Sequence, residues 1–100
     1  SGMTRRAITL TIVGLLLAGC GGTPTTGPAL YARHCGACHG TDLSGNVGPA
    51  LGAGSELAAS SDASYRSAVQ DGVGDMPANG RLSEEQINKI IAHIRDVQGN

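Results

Sequence analysis

Phenylalanine and tryptophan are absent from the 100 residues, and tyrosine occurs only twice. Aromatic side chains carry much of the buried area of small domains. A chain of this length holds one small domain at most, and such domains often need a staple or a bound group. The sequence is therefore short of core material unless something else fills its centre. No run of lysine or arginine occurs, which excludes a nucleic-acid partner recognised through a basic face. From Cys20 onward five basic residues stand against eight acids, so that part carries a formal charge of −3. The cysteine count is three, and an odd number does not fit a framework of paired disulfides. No segment alternates apolar and polar residues in the manner of a strand, so the expected class is all-α.

The longest apolar stretch is short. Ala7 to Ala18 is mostly apolar and follows Arg5 and Arg6. A membrane-spanning helix needs roughly 20 apolar residues, whereas this length and the positive flank suit a signal segment. The stretch ends in Leu17-Ala18-Gly19-Cys20, which resembles the lipobox of bacterial lipoproteins. The resemblance implies cleavage before Cys20 and acylation of that residue, which gives the odd cysteine a use and a stable anchor. Ser1-Gly2 ahead of Met3 reads as an added scar, residues 3–19 as the leader, and 20–27 as lipidated cysteine and tether. The tether "GGTPTTG" has no side chain that packs, and a domain is expected over 28–100.

The chemistry-bearing stretch is "HCGACHG" at 34–40. Cys-x-x-Cys-His is a haem-attachment signature. Two thiols one helical turn apart can add to the two vinyl groups on one porphyrin edge, and His39 then reaches the iron. Cys35-Gly36-Ala37-Cys38 is also a thioredoxin-type dithiol, but that motif belongs to a βαβ context that the preceding leader and tether do not provide. A zinc site would need a fourth ligand. Met76 is the one methionine after the leader and lies in the Gly/Pro/Asn-rich "GDMPANG" at 74–80, a poor place for a core residue. His/Met is a pairing that raises the reduction potential of haem iron.

Tyr31, Cys35-x-x-Cys38-His39-Gly40, Gly48-Pro49-x-Leu51, Gly72 and Met76-Pro77, followed by a C-terminal helix, make the chain resemble a class I monohaem cytochrome c of the small bacterial type over residues 27–98. The resemblance implies three main helices and loops wrapped around one covalently bound haem c. It implies thioethers at Cys35 and Cys38 and axial iron ligands at His39 and Met76. The Pro49 carbonyl would accept from the ring N–H of His39, and Leu51 would pack on the porphyrin.

Helices are expected at Ala29–Cys38, at 62–71 and after the capping box Ser83-Glu84-Glu85-Gln86. In the last of these Ile87, Ile90, Ile91, Ile94 and Val97 form one apolar stripe, and Gly99 ends the helix. A short helical turn at 55–59 is a further expectation. Gly27 would let the terminal helices approach. The family's usual aromatic residue in the last helix is replaced, at the corresponding place, by His93.

The resulting expectation is a membrane-anchored one-electron carrier rather than an enzyme. It would be a monomer or a respiratory-complex subunit, anchored through lipid on the periplasmic or extracytoplasmic face of a bacterial membrane, with redox proteins as donor and acceptor. Gly36, Ala37, Gly74, Pro77 and Ala78 would form a small neutral patch around the exposed haem edge. Arg33 and Arg81 are candidates for the haem propionates, against an ordinary solvated role. Two other readings are a haem-based sensor or gas-binding module with a displaceable Met76, and an electron-delivering subunit of a larger redox enzyme.

Overall fold

The structure, a computed structural model, describes residues 23–99. The residues on which the expected scar, leader and lipidated Cys20 fall lie outside the described ones. Four α-helices are present among the described residues: α1 (Gly27–His34), α2 (Gly36–His39), α3 (Asp62–Asp71) and α4 (Glu84–Gln98), with a 3-10 turn at Glu56–Ala59. Among the described residues there is no strand, only an isolated bridge between Val73 and Met76. The all-α class is thus as the sequence implies. Among those residues no helix is long and apolar enough to cross a membrane.

The polar ends of the helices follow the sequence closely. Thr26 caps α1 by accepting from the Ala29 N–H at 3.3 Å, two residues before the expected domain start. Ser61 caps α3 and Gly72 ends it. Ser83 and Gln86 form the reciprocal capping box of α4, and Gly99, in the left-handed conformation, closes that helix. Ile87, Ile90, Ile91 and Ile94 are all buried. Each contributes on the order of 1.5–3 kcal/mol of burial.

Two helix expectations need correction. The first helix does not run unbroken from Ala29 to Cys38. It stops at His34, and Cys35, at φ −122° and ψ −28°, turns the chain into the separate short α2. The apolar stripe of α4 does not include Val97, which is 40% exposed. The last turn instead buries Gln98. The stripe drifts because 3.6 residues per turn carry position 97 away from the face set by 87, 90, 91 and 94.

α1 packs chiefly on α4, and α3 packs on α4 beside it. A side chain on Gly27 would place its Cβ 2.5 Å from the Lys89 carbonyl oxygen, so glycine is what lets the two terminal helices touch. The Tyr31 and His93 rings meet across this contact with centroids 5.4 Å apart and planes tilted by 58°. His93 therefore takes the place of the aromatic partner in the helix crossing. The core joins these helices to Leu43, Leu51, Tyr65 and Val69.

Candidate functional site

The cysteine pair is built by the break between α1 and α2. The Cys35 N–H still donates to the Tyr31 carbonyl at 2.7 Å, while the Cys35 carbonyl accepts from the N–H groups of Cys38 and His39 at 3.2 and 3.0 Å. The two thiols thus lie one turn apart on one short segment, with His39 directly after them. Gly36 is buried rather than at the surface, because Thr41 lies over it: its Cβ would meet the Thr41 methyl at 3.2 Å. This removes it from the expected neutral patch, whereas Ala37, Gly74, Pro77 and Ala78 are exposed. Cys38 is exposed and Cys35 is partly buried. Burial, and then the neighbouring Cys38, pushes the Cys35 thiol up to about 11.

His39 is only 8% exposed. Its Nδ1 lies 2.8 Å from the Pro49 carbonyl oxygen. A carbonyl can only accept, so Nδ1 carries the hydrogen and Nε2 keeps a free lone pair in the neutral ring. That is the tautomer a metal-binding imidazole needs. The ring is fixed from the side as well. Gly48 packs against it so closely that a Cβ there would lie 2.9 Å from Cε1 and Nδ1, and the Gly48 N–H donates to the Cys38 carbonyl at 2.6 Å. A loop of residues 43–52 therefore holds the histidine like a strap. It is tied down where the N–H groups of Leu51 and Gly52 both donate to the Leu43 carbonyl, at 2.9 and 3.1 Å. Leu43 is itself buried at φ +66°.

Met76 sits in a tight turn. It exchanges two backbone hydrogen bonds with Val73, at 3.1 and 2.9 Å, and the Asn79 N–H ties the segment to the Val69 carbonyl at 2.7 Å. Gly72 makes the approach possible. Its φ is +77° and a Cβ there would fall 2.6 Å from the Met76 carbonyl oxygen. Met76 is partly buried and packs against the core.

These pieces surround one cavity of about 730 Å³. Cys35, Cys38, His39, Pro49, Leu51 and Met76 all line it, together with Tyr65, Val69 and the inner isoleucines of α4. Its size falls within the roughly 300–1,000 Å³ of cofactor pockets. A flat apolar group tethered at the two thiols fits this lining, since two thiols, one methionine thioether and an imidazole line a mostly hydrophobic space. A smaller cavity of about 140 Å³ lies beside it, next to His34 and Asn79, whose side chains meet at 3.3 Å. Among the described residues no group of three or more His, Cys, Asp and Glu is arranged to hold a metal ion.

Other candidates lie elsewhere. Arg33 and Arg81 are exposed and line neither cavity. His93 is engaged with Tyr31. Two residues that pattern reading passed over, Gln98 and Arg95, tie the end of α4 to the loops under the cavity. The Gln98 amide donates to the Leu51 carbonyl and to the Tyr65 hydroxyl. Arg95 donates to Asp62, to the Ala58 and Ser60 carbonyls and to Gln98, and stacks 4.6 Å from the Tyr65 ring centroid. A polar residue at the end of a helix carries no sequence signal for such a role.

No curated protein matches the chain. A family model described as cytochrome c oxidase, cbb3-type, subunit III matches residues 22–94, from the tether through most of α4. Since that match takes in the cysteine pair, the strap and the Met76 turn along most of the chain, the protein belongs to this family of c-type cytochrome domains, whose haem c is covalently bound.

Proposed function

We propose that this protein is a one-electron carrier of the class I type, in which Cys35 and Cys38 hold a single haem through thioethers and His39 and Met76 are its two axial iron ligands. When bound, that group supplies reversible cycling between Fe(III) and Fe(II). The observation that carries the reading is the His39 ring. It is buried, its Nδ1 hydrogen is committed to Pro49, and the residue lines a cavity shared with both cysteines and Met76. Pro49 makes the imidazole a better donor by pulling on its N–H. Leu51, Val69 and the isoleucines of α4 exclude water from the cavity. With His39 and Met76 both engaged, no open position is left for a substrate, which fits a carrier rather than an enzyme.

Ala37, Gly74, Pro77 and Ala78, exposed near the cysteines and Met76, are small and uncharged, and Asp75 is the acid that stands among them. Such a surface suits brief contacts with redox proteins, at the small end of interface size. The family description names an oxidase subunit, which favours delivery of electrons within or to a larger respiratory assembly. Acylation of Cys20 would hold the domain on the extracytoplasmic face of a bacterial membrane through the residues between Cys20 and the cap of α1.

The test is a spectrum and a mass on protein extracted from membranes. One haem mass plus acyl chains, with the weak far-red band of methionine bound to ferric haem, is the expected result. Loss of that band together with carbon monoxide binding at neutral pH would overturn the His/Met assignment. An unmodified Cys20 would overturn the anchor.

A further inference from the structure

Gln98 is 9% exposed, and beside His39 it is the other buried polar side chain among the described residues. Its orientation follows from its partners. The Leu51 carbonyl, 2.7 Å away, can only accept, so it faces the NH₂ group. The Arg95 guanidinium, 2.9 Å away, can only donate, so it faces Oε1. The second NH₂ hydrogen reaches the Tyr65 hydroxyl at 3.1 Å. The amide is thus held on three sides and cannot turn over without opposing like groups.

The Leu51 peptide units are pinned from both ends, by Leu43 at the N–H and by Gln98 at the carbonyl. Two residues earlier, Pro49 offers its carbonyl to His39. Proline has no N–H of its own with which to anchor that stretch. The next anchor upstream is the Gly48 N–H on the Cys38 carbonyl. The span that orients the imidazole therefore hangs between Gly48 and Leu51, and at its downstream end Leu43 holds the N–H groups while the last residue of α4 holds the Leu51 carbonyl.

We infer that Gln98 is a positioning residue for the proximal histidine: through Leu51 it keeps the Pro49 carbonyl on the Nδ1 hydrogen of His39. This rests on His39 being the iron ligand. It links the end of the C-terminal helix to the electron-donating strength of the imidazole, although Gln98 neither bonds to the ring nor lines the cavity.

The experiment is solvent exchange of the His39 Nδ1 hydrogen, followed by NMR in the reduced, haem-loaded full chain. Gln98→Met keeps the length and apolar fill but removes the donor. Gln98→Glu keeps the shape and the Arg95 contact but offers a carboxylate, which cannot donate to Leu51. Both variants should exchange roughly tenfold faster than the wild type, the factor that goes with losing about one net hydrogen bond. Gly27→Ala, which loosens the α1–α4 contact away from the strap, should lower the melting temperature and leave the exchange rate alone. Unchanged exchange in the two Gln98 variants overturns the inference, as does equal acceleration in Gly27→Ala. Failure of the underlying ligand assignment looks different: the wild-type protein would then lack His39 ring signals displaced by the haem ring current.

Discussion

Replacing Gly48 by alanine tests the geometry of the histidine strap with one methyl group. The Gly48 backbone is not in the left-handed region, so alanine costs nothing in backbone strain and its effect is contact alone. The new Cβ would lie 2.9 Å from both Cε1 and Nδ1 of His39 and 3.2 Å from the Cys38 carbonyl oxygen. Ordinary contact begins at 3.4 Å, so the ring or the strap must retreat by about 0.5 Å. The Cys38 side is backbone, and the proposed bond to the haem iron would hold the ring, so the strap is what should move. A shift of that size takes the His39–Pro49 hydrogen bond from 2.8 Å to about 3.3 Å, past the usual limit near 3.2 Å. Overpacking costs about 1–3 kcal/mol and the weakened bond about 0.5–1.5 kcal/mol. The sum is roughly 1.5–4.5 kcal/mol, and each kcal/mol lowers the melting temperature of a domain this size by about 4–8 °C. A weaker pull on Nδ1 also makes the imidazole a poorer donor to ferric iron, so the reduction potential should rise. The assay is a thermal melt and a redox titration of haem-loaded protein. Gly52→Ala is the control: its Cβ would meet Leu43 at 3.5 Å, an ordinary contact, and the variant should stay within about 0.5 kcal/mol of wild type. A Gly48→Ala protein that melts and titrates like wild type would refute the strap.

Met76→Ala should remove the far-red band, lower the reduction potential and let carbon monoxide bind the reduced protein, all read in one spectral series. The haem-free chain, obtained by replacing both Cys35 and Cys38 with serine, should show no cooperative thermal transition, because the cavity of about 730 Å³ lies inside its core. Calorimetry showing a sharp apo transition would contradict this. Burial, with smaller effects from Cys35 and Asp42, pushes the Tyr31 hydroxyl from 10.0 to about 12. The folded state therefore favours neutral tyrosine. Its contribution is whole below pH 10 and is lost as pH rises through 12. Melting temperatures should fall across that window, and Tyr31→Phe, which also gives up the 2.8 Å bond to the Gly40 carbonyl, should be about 1 kcal/mol less stable at neutral pH yet fall less steeply above pH 10.

Local rules and residue identity determined a good deal of this protein. The capping box at Ser83, the stop at Gly99 and the isoleucine stripe were legible because each depends on neighbours within one or two turns. The likeness of Cys35-x-x-Cys38-His39, Pro49, Leu51 and Met76 to a cytochrome c pointed to the residues that the fold gathers around one cavity. The scarcity of aromatics pointed to a missing filling for the core. Tertiary structure decided the rest. Whether the helix at Cys35 continues depends on how the chain must bend to bring the thiols and Gly36 under Thr41. That Gln98 rather than Val97 is buried depends on a loop carbonyl 47 positions away in the chain that needs a donor. His93 became an aromatic partner because Gly27 lets α1 come close enough for Tyr31 to reach it. In each case the deciding contact spans elements that no local pattern connects. The sequence by itself thus named the chemistry, while the packing of distant segments set how firmly the histidine is held to perform it.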